Sequence, residues 1–148
     1  MALKDQLMAD MKEAMKAHDK DRLAVIRMVR GAVRQQEIDG KKELEDSDVI
    51  AVISKEVKMR RDSIEEFNKG SRQDLVEKTQ AEIDILMPYL PAQLSEDEVR
   101  ELVKAAVEAT GAKTQKDMGK VMGKLMPKVK GCADGKMVNN IVRSMLQD

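Results

Sequence analysis

The sequence predicts an all-α protein of two helical domains. Three observations carry this. Apolar residues recur at a 3.6-residue spacing through most of the 148 residues, and no useful stretch alternates with period two. Cap-type residues and glycines punctuate the periodic runs. Two prolines in four residues, in "PYLP" at 88–91, interrupt the pattern once decisively. The expected domains are therefore residues 1–90, an N-terminal helical bundle, and 91–148, a small three-helix domain.

The elements follow in order. "LKDQLMADMKEAMKAHD" puts Leu3, Leu7, Met8, Met11, Ala14 and Met15 on one face, with His18 on the apolar side near the helix end. Asp19 or Asp21 can cap a second helix from Arg22 to Ile38, striped by Ile26, Val29 and Val33 and stopping near Gly40. The third and longest, capped by Ser47, carries Val49, Ile53, Val57, Ile64 and Phe67 and ends at Gly70. Ser71 and Asp74 form the pattern of a capping box before a helix that buries Leu75, Thr79, Ile83 and Leu86. In the second domain Ser95 boxes with Glu98, and Val99, Leu102, Val103, Ala106 and Val107 face inward up to Gly111. Thr114 boxes with Asp117 before a helix with Met118, Val121, Met122 and Leu125 inside, expected to end before Pro127. Asp134 caps a last helix burying Val138, Ile141, Val142 and Met145.

Composition narrows the function. Basic and acidic residues balance at 27 each, so net charge points to no polyanion or membrane. No apolar run approaches membrane-spanning length, and the N-terminus does not read as a secretion signal. The single Cys132 excludes an internal disulfide and points to a reducing, cytoplasmic setting. One histidine, one tyrosine, one phenylalanine and no tryptophan leave little for a metal centre, a catalytic triad or base stacking. No catalytic residue, metal site or cofactor is expected. The twelve methionines read as core filling.

Charge is unevenly placed. From Gly111 to Asp148 there are eight basic and three acidic residues. Lys113, Lys116, Lys120 and Lys124 recur at spacings of three, four and four, opposite the apolar face, and Lys128, Lys130 and Lys136 follow. Gly131 and Gly135 flank a turn before a helix start, where free N–H groups can meet phosphate. A solvated lysine face with a plain glycine turn is the alternative. Arg27, Arg30 and Arg34 form a second basic line, able to reach phosphates or nearby carboxylates. Glu56 and Arg60, one turn apart beside the apolar stripe, read as a structural ion pair, with Lys58, Arg61 and Asp62 outward.

The strings "RLAVIRMVRGAV" with Glu37, "KEVKMRRDSIEEFNKGSRQDLVEK", "EIDILMPYLPAQLSEDEV" and "DMGKVMGKLMPKVKGCADGKMVNNIV" resemble the YqeY-like proteins over nearly the whole chain. The second half is similar, more loosely, to the GatB tail domain of glutamine-dependent aminoacyl-tRNA amidotransferase, through Gly119, Val121, Met122, Lys130, Gly131, Ala133, Val138 and Asn139. The resemblance implies a tRNA-holding accessory module, with tRNA or other structured RNA as partner and amidotransferase or translation-related proteins nearby. It also brings an association with carbon–nitrogen ligase activity using glutamine as amide donor. Cys132 stands where the family often has a basic residue. The readings left open are an RNA-binding module, a helical protein–protein adaptor, and a component of an amidotransferase acting with other subunits.

Overall fold

The computed structural model describes residues 2–147. Those residues form seven α-helices: α1 (Leu3–Lys16), α2 (Lys20–Gly40), α3 (Asp46–Lys69), α4 (Gln73–Leu86), α5 (Glu96–Thr110), α6 (Met118–Val129) and α7 (Gly135–Met145). Short 3-10 turns follow α4 at Met87–Tyr89 and precede α6 at Gln115–Asp117. Among the described residues there is no strand, only an isolated parallel bridge between Thr114 and Gln147. The protein is all-α. It divides into two compact units, Met1–Leu90 and Pro91–Asp148.

The first unit is a bundle of α1–α4. Its core is Leu7, Val25, Ile26, Val29, Val33, Leu44, Val49, Val52, Ile53, Val57, Ile83 and Leu86. The second packs α5 against both α6 and α7. Val99, Val103, Val121, Leu125, Val138 and Val142 are almost wholly buried there. Its helix signals act as written: Ser95 Oγ accepts the Glu98 N–H at 3.2 Å while Glu98 takes the Ser95 N–H. Gly111 closes α5 at φ +68°, where a side chain would be strained.

Several boundaries move. α3 starts at Asp46, and the Asp48 carboxylate accepts the Glu45 N–H at 3.0 Å, so Ser47 lies inside the first turn and does not cap. The Asp46 carboxylate, at the first position of α3, also accepts the Leu3 N–H of α1 at 2.9 Å. Ser71 does not box with Asp74 either. It takes a left-handed turn (φ 55°), α4 begins after Arg72, and the Arg72 guanidinium takes the Asp74 carboxylate. α6 continues through Pro127 to Val129. The proline removes one N–H near the helix end, and the carbonyl it would serve belongs to exposed Gly123, where water can replace it. α1 turns less of its methionine stripe inward than expected: Leu7, Asp10 and Ala14 are buried, whereas Met8 and Met15 are exposed. His18 leaves the helix, sitting exposed in the α1–α2 turn at φ 55°.

Candidate nucleic-acid interface

The second unit separates charge by helix. α5 carries Glu96, Asp97, Glu98, Glu101 and Glu108 against Arg100 and Lys104, while α6 carries only basic charges. Lys120, Lys124 and Lys128 occupy successive turns of α6, each exposed. At 100° per residue the row drifts about 40° per turn, so Lys128 comes closest to the buried edge of Val121 and Leu125. Gly119 and Gly123 lie exposed between these turns, and a Cβ on either would meet nothing within 4 Å.

Lys113 and Lys116 precede α6, so they do not share its wheel. Lys116 is exposed in the 3-10 turn. The backbone of Lys113 is held on both sides: its N–H donates to Asp117 Oδ2 at 3.0 Å and its carbonyl accepts the Gln147 N–H at 2.9 Å. Gln115 reinforces this junction by donating its side-chain amide to the carbonyls of Arg143 and Leu146. The Lys113 and Thr114 amides hold the Asp117 carboxyl below the usual carboxylate range, and Lys120 Nζ adds to this from 3.9 Å.

The glycine turn is built differently from an open amide nest. Gly131 adopts φ +78° and its carbonyl accepts the Gln93 side-chain amide at 2.8 Å. The Cys132 carbonyl accepts the Leu94 N–H at 2.8 Å, tying the turn to the segment before α5. Gly135 opens α7 with open space around it. The Asp134 carboxylate takes the Lys136 N–H at 3.1 Å, so a protein anion already stands at that helix start. Lys130 is exposed at the end of α6. Lys136 lines a cleft of about 330 Å³ with Glu96, Arg100, Asp134 and Asn140, between α5 and α7. The basic residues thus form a ridge along α6 with outliers, rather than one patch around the turn.

In the first unit, Arg27, Arg30 and Arg34 line a groove between α1 and α2. Arg60 makes the expected pair, Nη1 to Glu56 Oε2 at 2.9 Å, and a second one that the spacing did not signal, Nε to Glu82 Oε1 at 3.1 Å. Two of its nitrogens are engaged and all three side chains are largely buried, which marks a device fixing α3 against α4. Arg61 does not face outward: it is half-buried, its Nη2 3.9 Å from the sulfur of Met87 in the 3-10 turn, a contact that helix periodicity does not signal. Periodicity also missed buried Asp10, which accepts hydrogen bonds from the Tyr89 hydroxyl and from Gln6 Nε2. Among the described residues no group of His, Cys, Asp or Glu could hold a metal ion.

Over residues 4–146 the sequence matches the family described as Yqey-like protein. It is 39% identical over 106 residues to "Altered inheritance of mitochondria protein 41, mitochondrial" of Pyrenophora tritici-repentis, covering 70% of this chain and 58% of that protein. A protein of the same name from Kluyveromyces lactis is 44% identical over 87 residues, 58% of this chain and 47% of its own. One from Saccharomyces cerevisiae is 36% identical over 111 residues, 72% and 60% respectively. The chain spans about half the length of the curated relatives it matches. These names correct two expectations. They place the relatives in mitochondria, against a cytoplasmic setting, and they speak of mitochondrial inheritance, against a glutamine-dependent carbon–nitrogen ligase. A lone thiol reports at most a reducing environment, which is not one compartment.

Proposed function

The chain belongs to the Yqey-like protein family, and on that premise we propose that it is an accessory module that holds structured RNA, with tRNA as the favoured partner. The holding surface is the α6 ridge. Lys120, Lys124 and Lys128 along it, and Lys116 in the 3-10 turn before it, are all exposed, and the carboxylate beside them, Asp117, is held by two backbone amides and lies 3.9 Å from Lys120 Nζ. That row of ammonium groups carries the reading, because contact with phosphates supplies most of the affinity for a polyanion. Gly119 and Gly123 support it by leaving the helix backbone uncovered, so a phosphate chain can approach closely. The scarcity of aromatic rings favours recognition of shape and backbone over stacking. The looser sequence resemblance to an amidotransferase tail domain, through residues such as Gly119, Lys130 and Asn139, favours tRNA among folded RNAs. The turn at Gly131 and Gly135 plays the lesser part, since Asp134 occupies the start of α7. No bond-making step is assigned to the module.

The test is binding of unmodified tRNA transcript to the full chain across a salt series. Four phosphate contacts give a log–log slope of about −3. Lys120→Glu plus Lys124→Glu should weaken binding about tenfold or more at low salt and flatten the slope by about 2. Binding that ignores salt, or survives the double reversal unchanged in a protein of intact helicity, would sink the proposal.

A further inference from the structure

The groove in the first unit is unrelated to the α6 ridge and asks for a different occupant. Along α1, Met8, Met11 and Met15 stand at i, i+3 and i+7; Met8 is 39% and Met15 47% exposed. Along α2, Arg27, Arg30 and Arg34 repeat the same spacing. The two rows line one groove of about 620 Å³.

Its charges are only partly spent internally. Arg27 has no ion-pair partner among the described residues, and Arg30 donates to the Met11 sulfur at 3.0 Å. Glu37, an acid close enough to feel Arg34, gives one oxygen to both Lys4 Nζ and the Leu44 N–H, each at 2.8 Å. Asp5 is the other carboxylate of the groove; against Lys4 and the three arginines, two positive charges remain in surplus. Gly31 completes the lining. Glycine weakens a helix interior relative to alanine, and a Cβ here would meet nothing within 4 Å. Packing does not require it. A larger side chain there would fill the groove.

We propose that this groove docks an acidic amphipathic helix of a partner protein. The methionines take its apolar face and Arg27 and Arg34 pair with its carboxylates. Each row spans seven residue steps, about 10 Å or two helical turns, the repeat that i, i+3, i+7 anchors present. Methionine adapts to varied apolar anchors, and the guanidinium fork matches a carboxylate in two bonds. A nucleic acid would find the apolar floor unrewarding. The proposal stands apart from the RNA reading, and neither depends on the other.

Selection of a displayed library of helical peptides of about 16 residues against the full chain tests this. Enriched peptides should place large apolar residues at i, i+3 or i+4, and i+7, with Asp or Glu alongside. Arg27→Glu plus Arg34→Glu should weaken a synthesised winner about tenfold or more. Gly31→Leu should do the same, and Gly31→Ala should stay within about threefold. If Gly31→Leu fails to fold by circular dichroism, Met8→Glu plus Met15→Glu at exposed positions supplies the same test. No enrichment, winners lacking acids, or binding that survives these variants would overturn the proposal. So would capture of anionic vesicles or tRNA, or dimerisation of the chain, that Gly31→Leu abolishes, since each would give the groove to another occupant.

Discussion

The hydroxyl of Tyr89, the chain's one tyrosine, donates to Asp10 across 79 residues of sequence. Arg22 Nη2 approaches the same carboxylate at 3.7 Å. Burial, and then the bond to Asp10, push the Tyr89 phenol well above its ordinary value of 10.0. A group whose pKa is raised by folding stabilises the fold fully below the unfolded value and loses that contribution as pH rises through the folded one. Tyr89→Phe should therefore cost about 1 kcal/mol at neutral pH. In denaturant titrations the gap to wild type should narrow steadily above pH 10; a gap independent of pH would show that the hydroxyl is not the stabilising group. None of this was legible beforehand, because a contact between α1 and a 3-10 turn leaves no trace in local spacing. Arg60 shows the partial case: Glu56, one turn away on the same helix, could be read from sequence, and Glu82 on α4 could not.

At the scale of the element, two glycines make opposite claims. Gly31 lies in mid-helix with open space around it, and its helical backbone suits any residue. Gly111 sits at φ +68° closing α5, also in open space, but there the backbone itself excludes a Cβ. Gly31→Ala should stabilise the protein by about 1 kcal/mol, and Gly111→Ala should destabilise it by about 1 kcal/mol, in thermal unfolding of the full chain. Equal shifts would refute the distinction. Caps were readable where serine met glutamate in a clear box, as at Ser95 and Glu98. They failed at Ser47 and Ser71, where a carboxylate three residues from a neighbour, or an arginine competing for Asp74, decided the start. The α1 face failed for a related reason. Its period allowed several inward directions, and packing against α2 chose the one with Asp10 inside and two methionines out.

For the whole molecule, the two units keep separate hydrophobic cores. All twelve fully buried members of the first core, and the Tyr89–Asp10 bond, lie within residues 1–90. A fragment of those residues should fold on its own, with cooperative thermal unfolding and helical circular dichroism. A broad, non-cooperative melt would mean that its stability depends on the rest of the chain. Charge is organised by helix within each unit: equal totals of 27 and 27 conceal an acidic α5, a basic α6 and an arginine-lined groove. That is why net charge says little about how charge is distributed over the surface.

By itself the sequence determined helical content, the approximate limits of seven helices and most of the buried positions, because these follow from a 3.6-residue period and from caps acting over three or four residues. Only the tertiary structure decided which lysines share a ridge, that Tyr89 reaches Asp10, and that three methionines and three arginines from different helices face one groove. Those outcomes depend on how one helix is rotated against another, and a helix's own periodicity leaves that rotation free until a neighbour packs against it.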